Sequence, residues 1–430
     1  MNAFKSIPGT FDILPDGYSN GGDEIAPVRM WRHLEETVRS VMGRYGAEEI
    51  RTPILEPTEL IARGIGALTD IVTKEMFAFE RGSTNYVMRP EVTAPVMRAY
   101  LQHNLEQRGG TQRLFYIGPC FRAERPQKGR YRQFHQFGLE LIGSEDPRAD
   151  AETMVSFRDV LEGLGLSQYT LRINSLGDED SRPAFKNALI EYLTPFTDQL
   201  SEVSRNRLAS NPLRILDTKI DKERALLADA PRLTDFIDSA SRDHHELVKS
   251  MLDAAGLPFV EDPFLVRGLD YYSRTAFEFE SPLLGAQSSM AGGGRYDLLS
   301  KEVGSKQVVP AVGFAAGMER ILLACAAEQV GMPPESRVDV FLIALGDAAS
   351  SWAFGEAGRL RRSGLQVAYD MKGRSMKAQM REANRQLARF VAIVGDDELA
   401  LGVVQVKDMD GGEQETLSLD AIGQRVRVTG

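Results

Sequence analysis

The sequence predicts an α+β fold in three parts, and three observations carry that reading. Blocks with strand-like, period-two apolar alternation alternate with helix-forming stretches through residues 1–325. Within them, 176–258 is rich in helix formers, is interrupted at Pro183, Pro195, Pro212 and Pro231, and has little strand signal. After Pro333 and Pro334 the pattern changes to strands that alternate with helices. The chain is therefore expected to hold a sheet-based domain at 1–325 carrying a helical insertion at 176–258, a linker at 326–335, and a small α/β domain at 336–430.

Taken in order, IPGTFDILP leads into a helix-like run at 24–45, and EEIRTPILEP then reads as a strand. The run from Phe121 to Gly143 reads as two strands around a loop. Phe115, Ile117, Pro119 and Phe121 fall on one face of the first strand, with Gly118, Cys120 and Arg122 on the other. Across the loop, Phe137, Leu139 and Leu141 are apolar, and Gln136, Gly138 and Glu140 oppose them. Two such strands make the floor of a site: an apolar face toward a core, a small or polar face toward a ligand. The run Ala291–Gly294 before Arg295 suggests a loop of close backbone approach, although tight turns account for most glycine triplets. In the last domain, VDVFLIAL, a helix to Arg362, QVAYD, a basic helix, FVAIVG, and a hairpin of VVQVKDM and ETLSL across Asp410-Gly411-Gly412 imply a largely parallel sheet.

Composition bounds the function. With 43% hydrophobic and 26% charged residues, the 430-residue chain is of ordinary globular type. Cys120 and Cys325 give neither a disulfide framework nor a metal spacing, which favours a reducing, cytoplasmic setting; the apolar runs are too short to span a bilayer, so no membrane partner is expected. P-loop, HExxH and complete GxGxxG motifs are missing. The net charge of −10 argues against general affinity for nucleic acid, but two stretches are locally basic. In the loop after Phe121, five cations (Arg122, Arg125, Lys128, Arg130, Arg132) oppose one acid, Glu124. At 372–389, Lys372, Arg374, Lys377, Arg381, Arg385 and Arg389 oppose Glu382; Lys377, Arg381 and Arg385 would form one helical stripe. Either stretch is also compatible with a solvated charged surface. His244 and His245 cannot share a helix face and read as surface residues rather than metal ligands.

The run GPCFRAERPQKGRYRQFHQFGLELIG resembles motif 2 of the class II aminoacyl-tRNA synthetases, in the form carried by the histidyl-tRNA synthetase family. IPGTFDILP with the following helix and EEIRTPILEP resembles that family's opening and motif 1; LVRGLDYYSRTAFEFE (265–280) resembles its histidine-specific signature, and AVGFAAGMERILL (311–323) its motif 3. Four ordered blocks cover the chain. The resemblance implies a class II antiparallel sheet flanked by helices, a C-terminal anticodon-binding domain, a homodimer, and a ligase that uses ATP and Mg²⁺ to join L-histidine to histidine tRNA.

On that resemblance, Arg122, Arg267 and Arg320 are the catalytic cations, and Arg122, Glu124, Arg130 and Arg320 hold ATP. Planar guanidinium forks suit a reaction in which two anions are brought together and charge builds on phosphate oxygens. Histidine would be held by Glu91, Thr93 and Gln136 at its α-ammonium and by Glu140 and Tyr272 at its imidazole, with Tyr271 a further substrate-binding residue. Committed polar partners discriminate by as much as roughly 10⁴ to 10⁵, which an apolar pocket cannot do. Gln127 and Arg132 match loop positions that meet the tRNA acceptor end, and no resident metal site is implied. Read alone, Arg267 could pair with Asp270 or Glu278, and Arg320 with Glu319. Ser273 and Leu298 depart from the family's usual residues, which leaves the backbone after Arg295 open. A non-catalytic, histidine-sensing subunit of ATP phosphoribosyltransferase resembles the same blocks. It typically lacks the last domain and the catalytic arginines, all of which this chain has. A class II synthetase for another amino acid is opposed by Glu140, Tyr272 and RGLDYY.

Overall fold

The computed structural model describes residues 4–20, 23–66, 69, 71–178, 180–218, 220–266, 271–335 and 337–428. They fall into two units, Met1–Pro333 and Pro334–Gly430.

The first unit is built on an eight-stranded sheet: β1 (Glu48–Glu49), β2 (Gln112–Phe121), β3 (Gln133–Ile142), β4 (Thr170–Ser175), β5 (Phe259–Glu261), β6 (Ser273–Glu280), β7 (Ser289–Arg295) and β8 (Ala311–Gly317), in the order β5-β4-β6-β7-β8-β3-β2-β1. The pairings at the two edges are parallel, and the five between them are antiparallel. Alternation along each strand sorts side chains to two sides. Phe115, Phe137, Leu139, Leu141, Phe277, Phe279 and Phe314 enter one buried core with helices α1 (Val28–Arg44), α3 (Pro147–Gly163), α4 (Ser239–Ala254) and α5 (Met318–Ala327). Leu114, Tyr116, Cys120 and Ile142 face the other side, where α2 (Thr93–Gln102) and the helices between 181 and 227 close a second core. The helices leave part of that second side open, and the site lies there.

Local chemistry explains four departures from the expected pattern. The helix anticipated from 24 begins at Val28, because Asp23–Ile25 pairs with Tyr18–Asn20 in a hairpin and Pro27 sets the helix start. EEIRTPILEP is two strands: Glu48–Glu49 joins the large sheet and Leu55–Pro57 a separate three-stranded sheet. Between them Pro53 has no N–H for a ladder. The Gly292–Gly294 triplet is the middle of β7 rather than a loop, and the neighbouring strands leave no room for side chains. A Cβ at Gly293 would lie 2.2 Å from the Gly313 carbonyl oxygen, and one at Gly294 2.3 Å from that of Thr275. His244 and His245 are buried, not at the surface. On α4 they diverge, His244 Nε2 reaching Asp150 Oδ1 at 3.2 Å and His245 Nε2 reaching Glu261 Oε2 at 3.3 Å. After Arg295 the backbone is ordinary, since Leu298 is helical and caps Leu299–Glu302.

The second unit has five strands, β9 (Val340–Leu345), β10 (Val367–Tyr369), β11 (Phe390–Gly395), β12 (Val403–Asp408) and β13 (Gln414–Ser418), in the order β10-β9-β11-β12-β13. The β9 pairings are parallel, but β11–β12 and β12–β13 are antiparallel, so the sheet is mixed rather than largely parallel. The β12–β13 hairpin is the expected one, closed by Asp408 Oδ1, which accepts from the N–H groups of Asp410 and Gly411 at 2.9 Å each; the unexpected antiparallel pair is β11–β12, joined through the short helix Asp396–Ala400. The basic helix spans Met376–Arg385 and keeps Lys377, Arg381 and Arg385 exposed, with Gln379 tying its buried face to Ala344. Among the described residues no helix is long and apolar enough to cross a membrane.

Candidate active site

A cavity of about 190 Å³ opens on the second side of the sheet, over β2, β3, β7 and β8. Arg122, Glu124, Arg130 and Arg320 line its cationic end; Glu91, Thr93, Gln136, Tyr271 and Tyr272 line the rest. Two of the three expected catalytic cations thus share one pocket although they come from distant segments. The third, Arg267, lies outside the described residues.

At the cationic end, the turn after β2 holds Arg122 against Phe134, with its guanidinium 5.1 Å from the ring centroid, and its Nε donates to the Pro90 carbonyl at 3.1 Å. Arg320 stands in the first turn of α5. Its expected alternative partner, Glu319, is committed elsewhere, accepting from the His135 backbone N–H at 2.9 Å. Arg320 instead donates Nε to the Gly129 carbonyl at 3.1 Å, Nη1 to the Ser289 carbonyl at 2.7 Å and Nη2 to Gln287 Oε1 at 3.2 Å. Burial, then the guanidinium groups of Arg130 and Arg122, push the Arg320 pKa down from its ordinary value, against Glu124 and Glu278. Neutral carbonyls and amides orient this cation without neutralising it. A polyanionic ligand would relieve the crowding of like charge.

The other end is a chain of buried acids and hydroxyls. Glu91 accepts from the backbone N–H groups of Thr93 at 2.7 Å and Ala94 at 3.0 Å, so it caps α2; burial raises its pKa. Thr93 Oγ1 donates to Glu140 Oε1 at 2.7 Å, and the Tyr296 hydroxyl donates to Glu140 Oε2. Glu140 is fully buried but points into this polar network rather than into hydrocarbon, and burial raises its pKa to about 8. It has room because β8 carries glycine opposite it: a Cβ at Gly313 would lie 1.8 Å from Glu140 Oε2. Tyr271 and Tyr272 are buried beside it, with ring centroids 4.7 Å apart. The Cys120 thiol, whose pKa burial raises to about 12, approaches Gln136 Oε1 at 3.4 Å from beneath.

The loop residues separate. Gln127 is exposed and lines a second cavity of about 610 Å³ with Lys74, Glu75 and Arg125. Arg130 bridges the two cavities, bonded to Glu124 at 3.1 Å. Arg132 is not at either: its Nη1 donates to the Pro8 carbonyl at 3.1 Å and its Nε to that of Glu124 at 3.4 Å. Three contributors escaped sequence reasoning. Phe134 under Arg122, Glu319 behind His135 and Tyr296, which follows Arg295 at the end of β7, have no local signal for these roles. No group of three or more His, Cys, Asp or Glu able to hold a metal is found among the described residues.

Comparison with known proteins agrees with this layout. A family model described as histidyl-tRNA synthetase matches residues 24–321, and one described as an anticodon binding domain matches 339–429. A histidine–tRNA ligase of Chloroherpeton thalassium is 49% identical over 420 residues, covering 96% of both chains. Another, from Synechococcus sp. (strain JA-3-3Ab), is 46% identical over 97% of both. The crystal structure of apo S. aureus histidyl-tRNA synthetase superposes with a TM-score of 0.81 at 35% identity, covering 99% of this chain and 100% of that one. With a cation-lined cavity over an antiparallel sheet, buried acids at its far end and family-wide likeness along nearly its whole length, the chain belongs to the histidyl-tRNA synthetase family.

Proposed function

We propose that this chain activates L-histidine with ATP, forming histidyl-adenylate and pyrophosphate, and then transfers the histidyl group to the 3′ end of histidine tRNA. The observation that carries the reading is the arrangement of Arg122, Arg130 and Arg320 at one end of a cavity whose other end holds Thr93, Gln136, Tyr271 and Tyr272, with Glu140 behind Thr93.

The histidine carboxylate attacks the α-phosphorus and pyrophosphate leaves. The protein's task is to bring two anions together and spread the developing charge. Arg122 and Arg320 take oxygens of the α-phosphate, Arg130 with Glu124 takes the nucleotide beyond it, and Arg267 has, by the family resemblance, the role of assisting at the α-phosphate and the substrate carboxylate. Glu91, Thr93 and Gln136 receive the α-ammonium. Glu140 accepts from one imidazole N–H, and the Tyr272 hydroxyl serves the other nitrogen, with Tyr271 packed against it. Mg²⁺ fits as a companion of the nucleotide rather than as a resident ion: Glu124 and Glu278 face the Arg320 region, but the described residues hold no ligand set of their own. When bound it would neutralise charge on the leaving pyrophosphate.

In the second step the terminal ribose hydroxyl attacks the adenylate carbonyl, its proton passes to the adenylate phosphate, and the acyl–phosphate bond breaks as AMP departs. The larger cavity with Gln127 at its edge suits an incoming acceptor end, with Arg132 at the loop base. The unit after 333 would meet splayed anticodon bases. Charging in the cytoplasm by a homodimer completes the reading. The regulatory alternative is disfavoured by 49% identity to a histidine–tRNA ligase over 96% of both chains. ATP–pyrophosphate exchange measured with each of the twenty amino acids tests the proposal. Exchange is expected with histidine alone, with Arg267→Ala strongly impaired; no exchange with any of them would favour the regulator.

A further inference from the structure

The segment before α1 is bonded to the loop that carries the cations. The Arg132 backbone N–H donates to the Gly9 carbonyl at 2.7 Å, and its Nη1 to that of Pro8 at 3.1 Å. A turn fixes these carbonyls: Thr10 donates to the Ile7 carbonyl from both its N–H, at 2.9 Å, and its Oγ1, at 2.7 Å. Gly9 has φ +86°, and a Cβ there would lie 2.8 Å from Pro126 Cγ and 3.0 Å from Arg132 Cγ. The segment therefore touches both limbs of the loop. Phe11 adds an apolar anchor, edge-on to Tyr131 with centroids 4.8 Å apart and beside Trp31 at 6.3 Å.

From Arg132 the path to the cavity is short. Its carbonyl accepts the Arg122 N–H at 2.9 Å, its Nε holds the Glu124 carbonyl at 3.4 Å, and the Glu124 carboxylate holds Arg130 Nη1 at 3.1 Å. Tyr131, which Phe11 supports, lines the cavity beside Arg122.

We infer that Pro8–Phe11 is a strap that positions the 122–132 loop for ATP, with Gly9, Phe11 and Arg132 as positioning residues that set the stance of Arg122 and Arg130 without touching the nucleotide. The inference rests on the assignment of Arg122 to the α-phosphate. It adds that the opening segment is part of the nucleotide site's geometry.

Steady-state ATP–pyrophosphate exchange on the full-length chain tests it, with Gly9→Val and Phe11→Ala compared with wild type and with Phe11→Tyr as the ring-preserving control. A displacement of about 1 Å at a reacting centre can cost about 10²-fold. The strap variants should lose kcat and raise the KM for ATP toward that scale when assayed well below their unfolding midpoints, with the KM for histidine unchanged and Phe11→Tyr restored. Should Gly9→Val fail to fold, Gly9→Ala and Phe11→Leu take its place. Wild-type kcat and ATP KM in strap variants, or losses that track a lowered unfolding midpoint and affect histidine and ATP alike, overturn the strap while leaving the activity reading intact. Absence of histidine-dependent exchange in the wild-type chain removes both.

Discussion

At Glu140 the energetics of a buried acid meet the proposed choice of imidazole. Burial is the main cause of its raised pKa, about 8, while hydrogen bonds from Tyr296 and Thr93 pull the other way. The folded state therefore binds a proton that the unfolded chain releases near its ordinary value of 4.5. The stability this proton lends is complete below that value, declines as pH rises, and is gone above about 8. Urea unfolding at pH 5 and at pH 8.5 should show this slope in the wild type and a flatter one in Glu140→Gln. An ionised carboxylate accepts from an imidazole N–H more strongly than a protonated one, so the KM for histidine should fall as pH rises toward 8. Tyr296→Phe removes a bond that favours the anion and should move that transition upward. Gly313→Ala should abolish histidine-dependent exchange, because its methyl group would occupy the space of the Glu140 carboxylate. At this scale the alternation of β3 made Glu140 and Gln136 legible as a polar face. Tyr296 was not, because its role depends on β8 lying between β7 and β3 rather than on neighbours in sequence.

At the scale of elements, the β2–β3 hairpin was legible because its strands are long, alternate strictly and enclose an unmistakably basic loop. Elements whose identity depends on tertiary crowding were not. The glycines of β7 look like a loop until Gly313 and Thr275 are seen to press on them, and the adjacent histidines look exposed until α4 is packed against α3. The same packing creates a buried ionic junction in which Arg295 Nη2 meets Asp150 Oδ2, Arg295 Nη1 reaches Asp297 Oδ1 at 3.2 Å, and His244 completes the contacts of Asp150. Both Arg295 and Asp150 have no exposed side-chain surface. Removing one partner of such a pair leaves an uncompensated charge and costs about 3–5 kcal/mol. Asp150→Ala should lose stability on that scale in denaturant titration. Arg320→Ala should leave stability nearly untouched and lower kcat by about 10² to 10³, as loss of one preorganised charge-stabilising donor does. A comparable stability loss in both would mean that Arg320 is structural.

At the scale of the molecule, the division at Pro333–Pro334 was visible in the change of pattern, and each unit has its own buried core. The sheet order of the second unit was less visible. The β12–β13 hairpin was anticipated from Asp410-Gly411-Gly412, but the antiparallel pairing of β11 with β12 depends on how the short helix Asp396–Ala400 returns the chain. A chain ending at Pro333 should keep histidine-dependent pyrophosphate exchange and lose most charging of histidine tRNA; equal charging with and without the second unit would deny that unit a role in tRNA recognition. The central claim is that cations distant in sequence meet on one nucleotide beside a carboxylate that selects imidazole. A crystal structure with a non-hydrolysable histidyl-adenylate analogue tests it most directly. The expected result places Arg122 and Arg320 within hydrogen-bond distance, about 3 Å, of the oxygens that replace the α-phosphate, with the imidazole between Glu140 and Tyr272. An analogue bound away from either arginine, or with its imidazole out of reach of Glu140, would contradict the account.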